Sequence, residues 1–104
     1  MKPLPPGLEA YKRTPEFSQD SLPAGLRRRH TTAAGVWARI VVLEGALRYR
    51  ILAPRREELL LGPARHGVVE PEVPHEVEPE GAVRFYVEFL RAAGGAGAGE
   101  LPVD

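Results

Sequence analysis

The sequence contains no cysteine, which excludes disulfides, thiolate metal ligands and cysteine nucleophiles. It has no excess of charge of either sign: 14 basic residues, nearly all arginine, balance 14 acidic ones, nearly all glutamate. No net pull toward nucleic acid or an anionic membrane is built into the chain, so neither is expected as a partner. No apolar run approaches the roughly 20 residues that a membrane helix requires. The opening "MKPLPPGLEAYKR" lacks the apolar core of a signal peptide, which makes a cytoplasmic location the expectation. There is no G-x-S-x-G elbow and no phosphate-cradling glycine motif after a strand. Ser18 and Ser21 lie in a proline-rich stretch that would hold a nucleophile poorly.

What is present is one domain's worth of chain. At 104 residues, 43% hydrophobic and 27% charged, the sequence has the composition of an ordinary soluble globular protein with a single modest core. Prolines and glycines punctuate the first 25 residues, disfavouring a long helix and predicting an extended surface arm over about residues 1–21. "LEAYKRTPEF" within it could hold a short strand. Farther on, β-branched and aromatic residues cluster, predicting a strand over Leu26 to Thr32 and a hairpin of Val36 to Leu43 and Ala46 to Leu52 turning at Glu44-Gly45. An edge strand is expected at Glu58 to Leu61. Val68 to Val69, Pro74 to Glu78 and Ala82 to Leu90 complete the set, with "PEG" as the last turn. The domain is expected to span residues 1–91. The Gly/Ala-rich segment 92–104 has few side chains to pack and is expected to be mobile or ordered only by a neighbouring chain.

Short strands at regular intervals with little helical periodicity point to an all-β sandwich or barrel. So short a chain often closes its sheet edges by pairing with a twin subunit, and a homodimer is expected. "HTTAAGVWARIVVLEGALRY", followed by "VEPEVPHEVE" and "VRFYVEF", resembles the small cupin family typified by YeaR and by the domain preceding the methyltransferase in some TehB tellurite-resistance proteins. The likeness covers about Leu22 to Phe89 and rests on the paired signatures H-x-T-…-G-x-W and E-P-x-x-P-H. It implies an all-β, cupin-type (jelly-roll) small barrel. It does not imply an activity, because fold does not fix chemistry.

The resemblance also implies where a metal would lie. In typical metal cupins the first motif supplies two histidines and a glutamate before a closing glycine, and the second supplies one more histidine. Gly45 matches the closing glycine and His75 the histidine of the second motif. The first motif is degenerate: His30 stands slightly early, its partner histidine is missing, and Ala38 occupies the glutamate slot. A standard three-histidine, one-glutamate site cannot be assembled from these residues.

A different set could serve. If the last hairpin turns at Pro79 to Ala82, strand alternation sends Val73, His75, Val77, Arg84, Tyr86 and Glu88 to one face. His30, His75 and Glu88 would then form a half-open site for a divalent metal, zinc foremost, with iron, nickel or manganese also suited. A one-residue slip would turn Glu88 away. For His75 the plain alternative is an interior, hydrogen-bonded histidine, for His30 an exposed strand residue, and for Glu88 the solvated face. Trp37 is expected in the core or as a pocket wall, with Tyr86 lining the same cavity. Arg48 and Arg50 share one strand face and could attract an anionic ligand; pairing with the acids of "EPEVPHEVE" explains them equally well. Arg27 and Arg29 read as solvated or dimer-rim residues, and His66 as a surface residue.

Two functional classes follow. One is a metal-binding cupin acting on a small molecule or in detoxification, tied to stress or a tellurite-type oxyanion response. The other is a binding module without metal or chemistry, whose cavity holds a small or anionic ligand.

Overall fold

A computed structural model describes residues 1–93; the segment expected to be mobile lies almost wholly outside the described residues. The architecture is all-β and cupin-like, as anticipated. Its strands are β1 (Leu8–Arg13), β2 (Phe17–Ser18), β3 (Trp37–Ile51), β4 (Glu57–Leu61), β5 (Gly67–Val69) and β6 (His75–Ala92), with one 3-10 turn at Ala24–Arg27. All pairings are antiparallel, and the main sheet path runs β1-β6-β3-β4. Among the described residues this path is not closed into a complete barrel.

The long strands β3 and β6 pair from Trp37↔Leu90 to Ile51↔His75 and form the spine. The first half of β3 is flanked on its other side by β5, and the second half by β4. On its outer side, β6 carries β1 and β2 along its C-terminal half and a single bridge to His30 at its start. The register shifts between Val42 and Glu44 and again between Gly45 and Leu47. Interior positions of β3 are therefore even-numbered before the shift (Ala38, Ile40, Val42) and odd-numbered after it (Leu47, Tyr49, Ile51). An inserted residue reverses the strand's alternation, so both halves present apolar side chains to one core. On β6 the residues buried in this core are odd-numbered, namely His75, Val77, Val83, Phe85, Val87 and Phe89, while Leu90 is buried outside the core cluster.

Several expectations need correction. Glu44-Gly45 and the "PEG" segment were expected to reverse the chain; both are instead passages within continuous strands that pair with each other. Gly45 has φ +79°, and a Cβ there would stand 2.0 Å from the Ala82 carbonyl oxygen, so a glycine is needed for two backbones to meet. The strand expected over Leu26 to Thr32 is absent, because Pro23 opens a 3-10 turn and only His30 then bridges to β6. The arm contributes β1 and β2 rather than merely wrapping the surface.

Candidate functional site

The backbone brings two distant histidines side by side. His30 N–H donates to the His75 carbonyl at 2.8 Å, and His75 N–H donates to the His30 carbonyl at 2.9 Å. The segment carrying His30 is held by the buried Thr32, whose hydroxyl donates to the Val36 carbonyl at 2.7 Å, while Glu72 N–H donates to the Thr32 carbonyl. On the other side, Leu52 N–H donates to the Pro74 carbonyl and anchors the start of β6. The result is two imidazoles meeting edge to face, with centroids 5.4 Å apart and planes at 85°. The Tyr49 ring packs on His75 at 6.0 Å, and its hydroxyl is committed to the Val68 carbonyl at 2.9 Å.

The environments of the two rings differ. His75 is only 5% exposed, and burial lowers its pKa below the ordinary value, opposed by its hydrogen bond to the Val73 carbonyl and reinforced by His30. Its Nδ1 stands 3.1 Å from that carbonyl oxygen. His30 is half-buried, and its Nδ1 is buried without a hydrogen-bond partner.

Both rings line a cavity of about 260 Å³. Its walls include Ile40, Val69, Val77, Phe85, Val87 and Phe89, with Leu26 of the 3-10 turn also contributing. The few other polar groups on it have partners of their own. Thr14 Oγ1 accepts from Val87 N–H at 3.0 Å and donates to the Pro15 carbonyl, and Thr32 is engaged with Val36. Lys12 is exposed, with its ammonium 5.8 Å from the Phe89 ring centroid.

The remaining expected site residues lie elsewhere. Glu88 faces away from the histidines and is paired with Arg39 on the neighbouring strand, the Arg39 Nε at 3.1 Å from its carboxylate. Tyr86 shares that outer face, with the Arg13 guanidinium 4.7 Å over its ring. Trp37 is half-buried outside the core cluster, opposite Leu90. Arg48 pairs with Glu58 and Glu80. Arg50 pairs with Glu58 at 3.1 Å, Glu76 at 3.0 Å and Glu78 at 2.6 Å, and holds the Glu78 carboxyl below its usual range. The arginines thus satisfy the neighbouring acids, the alternative that the sequence left open. Phe85, Val87 and Phe89 are among the cavity residues that the sequence reading missed. Their signal was present in "VRFYVEF", whose apolar members Val83, Phe85, Val87 and Phe89 alternate with Arg84, Tyr86 and Glu88.

A family model described as the TehB-like domain matches residues 12–87. The chain belongs to the TehB-like domain family. A probable S-adenosyl-L-methionine-dependent methyltransferase TehB from Haemophilus influenzae is 33% identical over 75 residues, covering 68% of this chain and 26% of that protein. The chain therefore spans about a quarter of the length of the curated relatives it matches. The crystal structure of Haemophilus influenzae TehB superposes with a TM-score of 0.76 at 27% identity, over 84% of this chain and 32% of that one. A protein from E. coli strain K12 matches with a TM-score of 0.80 at 25% identity, over 90% of this TehB-like chain and 100% of its own. FeII HppE, a cupin-type structure, matches at 0.51 and 20% identity over 61% of this chain and 34% of that one, a likeness of fold alone.

Proposed function

We propose that this TehB-like domain is a small-molecule binding module whose cavity takes a compact, largely apolar guest and orients it through the two imidazoles. The observation that carries this reading is the convergence of His30 and His75 on a cavity of about 260 Å³ with aliphatic and aromatic walls. An apolar cavity of ~150 Å³ accepts benzene, so the space suits a one-ring molecule with a substituent. Burial of apolar surface supplies the affinity, and a few convergent polar groups set the orientation.

A resident divalent metal is less well supported. A catalytic zinc site takes three protein ligands and leaves a position open. Among the described residues no group of three His, Cys, Asp or Glu side chains stands close enough to hold an ion, and Glu88 is turned to Arg39. The two imidazoles are one donor short. The methyltransferase activity in the relatives' name is not carried over, since the shared part is about a quarter of that protein and the proposed role needs only the cavity.

Metal analysis of protein purified without chelator, together with calorimetric titration of toluene, tests the reading. The expected result is substoichiometric metal and saturable toluene binding that weakens when Ala38→Leu fills the cavity and is unaffected by Glu88→Gln. Stoichiometric zinc, iron, nickel or manganese that disappears in the His30→Ala, His75→Ala double variant would overturn it. We also propose that the protein pairs with a second copy along an open sheet edge. Support comes from β4, which among the described residues pairs only with β3 and carries Leu60 at 48% exposure. Sedimentation equilibrium checks this, a monomer at every concentration ruling it out.

A further inference from the structure

The nitrogen atoms of the two imidazoles carry information about the guest that the cavity walls do not. Nδ1 of His75 lies 3.1 Å from the Val73 carbonyl oxygen. A carbonyl oxygen only accepts hydrogen bonds, so Nδ1 must carry the proton. In the neutral ring this leaves Nε2 with its lone pair free, an acceptor with no proton to offer. Burial favours that neutral ring over the imidazolium. His30 is the counterpart: its Nδ1 is buried with no hydrogen-bond partner among the described residues, so no protein group dictates its tautomer and Nε2 can carry the proton. Both rings line the cavity, which brings together an acceptor on His75 and a His30 ring that is able to donate. The hydroxyls of Thr14 and Thr32 are already committed to backbone partners.

We propose that the cavity selects a neutral hydroxyl compound, a phenol or small cyclic alcohol, whose O–H donates to His75 Nε2 while its oxygen accepts from His30. This deepens the binding-module reading and rests on it. A hydroxyl is the simplest group that both donates and accepts at one atom, and so matches the two rings together. A carboxylate or another fully deprotonated oxyanion has no proton to give and would set its charge against the His75 lone pair. It would also lose its hydration in a space lined mainly by carbon. A ketone or aldehyde leaves the His75 acceptor unpaired. The oxyanion ligand entertained from the family resemblance is therefore disfavoured at the two imidazoles; Lys12, on the cavity lining, is the one cationic group there among the described residues, and the benzoate probe below measures its pull.

The test is calorimetric titration of the full chain at near-neutral pH with three one-ring probes of similar size: toluene, phenol and benzoate. Phenol is expected to bind about tenfold or more tighter than toluene, the gain from two hydrogen bonds made in a largely apolar site, and benzoate weaker than either. Benzoate binding most tightly overturns the inference while leaving the cavity-binding reading intact. Failure of all three probes overturns that reading itself. His75→Phe keeps the ring volume and should abolish the preference for phenol over toluene; a preference that survives it counts against the assignment. The tautomer can be read without any variant, from the ¹⁵N shifts of the His75 ring in the native protein. A proton on Nε2 in place of Nδ1 overturns the inference whatever the calorimetry shows.

Discussion

His75 combines burial with a titratable ring, and that combination has a thermodynamic consequence. Its pKa is lowered in the folded protein, chiefly by burial, so the folded chain binds fewer protons there than the unfolded chain as pH falls through the ordinary value near 6.5. Stability from this residue is accordingly full above about pH 6.5 and is lost progressively as pH drops toward the lower folded value. The slope is bounded at about 1.4 kcal/mol per pH unit for one proton. Urea unfolding at about pH 7.5 and about pH 5.5 should show the loss, and His75→Gln should flatten the profile across this interval. Identical profiles for the two proteins would show that His75 contributes nothing. His75 was legible in the sequence because it is set among prolines and valines in a family-like motif. Glu88 was misplaced because its position was reasoned from a hairpin that does not exist, when simple alternation along "VRFYVEF" already set it outward, where Arg39 now neutralises it.

Strands β3 and β6 owe their shape to the place where they cross the bend. Gly45 has φ +79° and backbone of Ala82 and Val83 where a side chain would go, whereas Gly81 has φ +76° and open space around it. Gly81→Ala should therefore cost about 1 kcal/mol, the ordinary penalty of a left-handed residue. Gly45→Ala adds a clash with main chain that cannot swing aside, and should cost about 3 kcal/mol or more. Chemical denaturation of the two variants checks the ranking; equal losses would mean that the close approach at Ala82 is relaxed in solution. The same passage explains why strand limits were harder to read than strand content. Glu44-Gly45 and Glu80-Gly81 have the composition of hairpin turns, and local chemistry cannot distinguish a reversal from a bend within a paired strand. The pairing partner decides, and β3 and β6 pair on both sides of the bend, from Trp37↔Leu90 to Ile51↔His75.

Because that single pairing runs through both halves of the sheet, neither half has a core of its own to melt separately. Val42 and Phe85 from one half pack in the same cluster as Leu47 and Tyr49 from the other. Unfolding should be one cooperative transition, with Trp37 fluorescence and far-ultraviolet circular dichroism tracing coincident curves. Separate midpoints would show that the halves open independently. Composition, turn chemistry and the spacing of apolar residues were enough to establish an all-β domain, since these properties are local and period-2 patterning survives in any sheet; the family, and the weight placed on His30 and His75, came from the resemblance of two short motifs. The tertiary structure decided which residues face the cavity, because one inserted residue in β3 reverses its alternation and a continuous β6 replaces the expected hairpin. It also supplied the means by which two imidazoles 45 positions apart meet, a backbone bridge that sets their rings edge to face. Hydrogen bonding between strands acts across the sheet, where nothing in the linear order of residues records it.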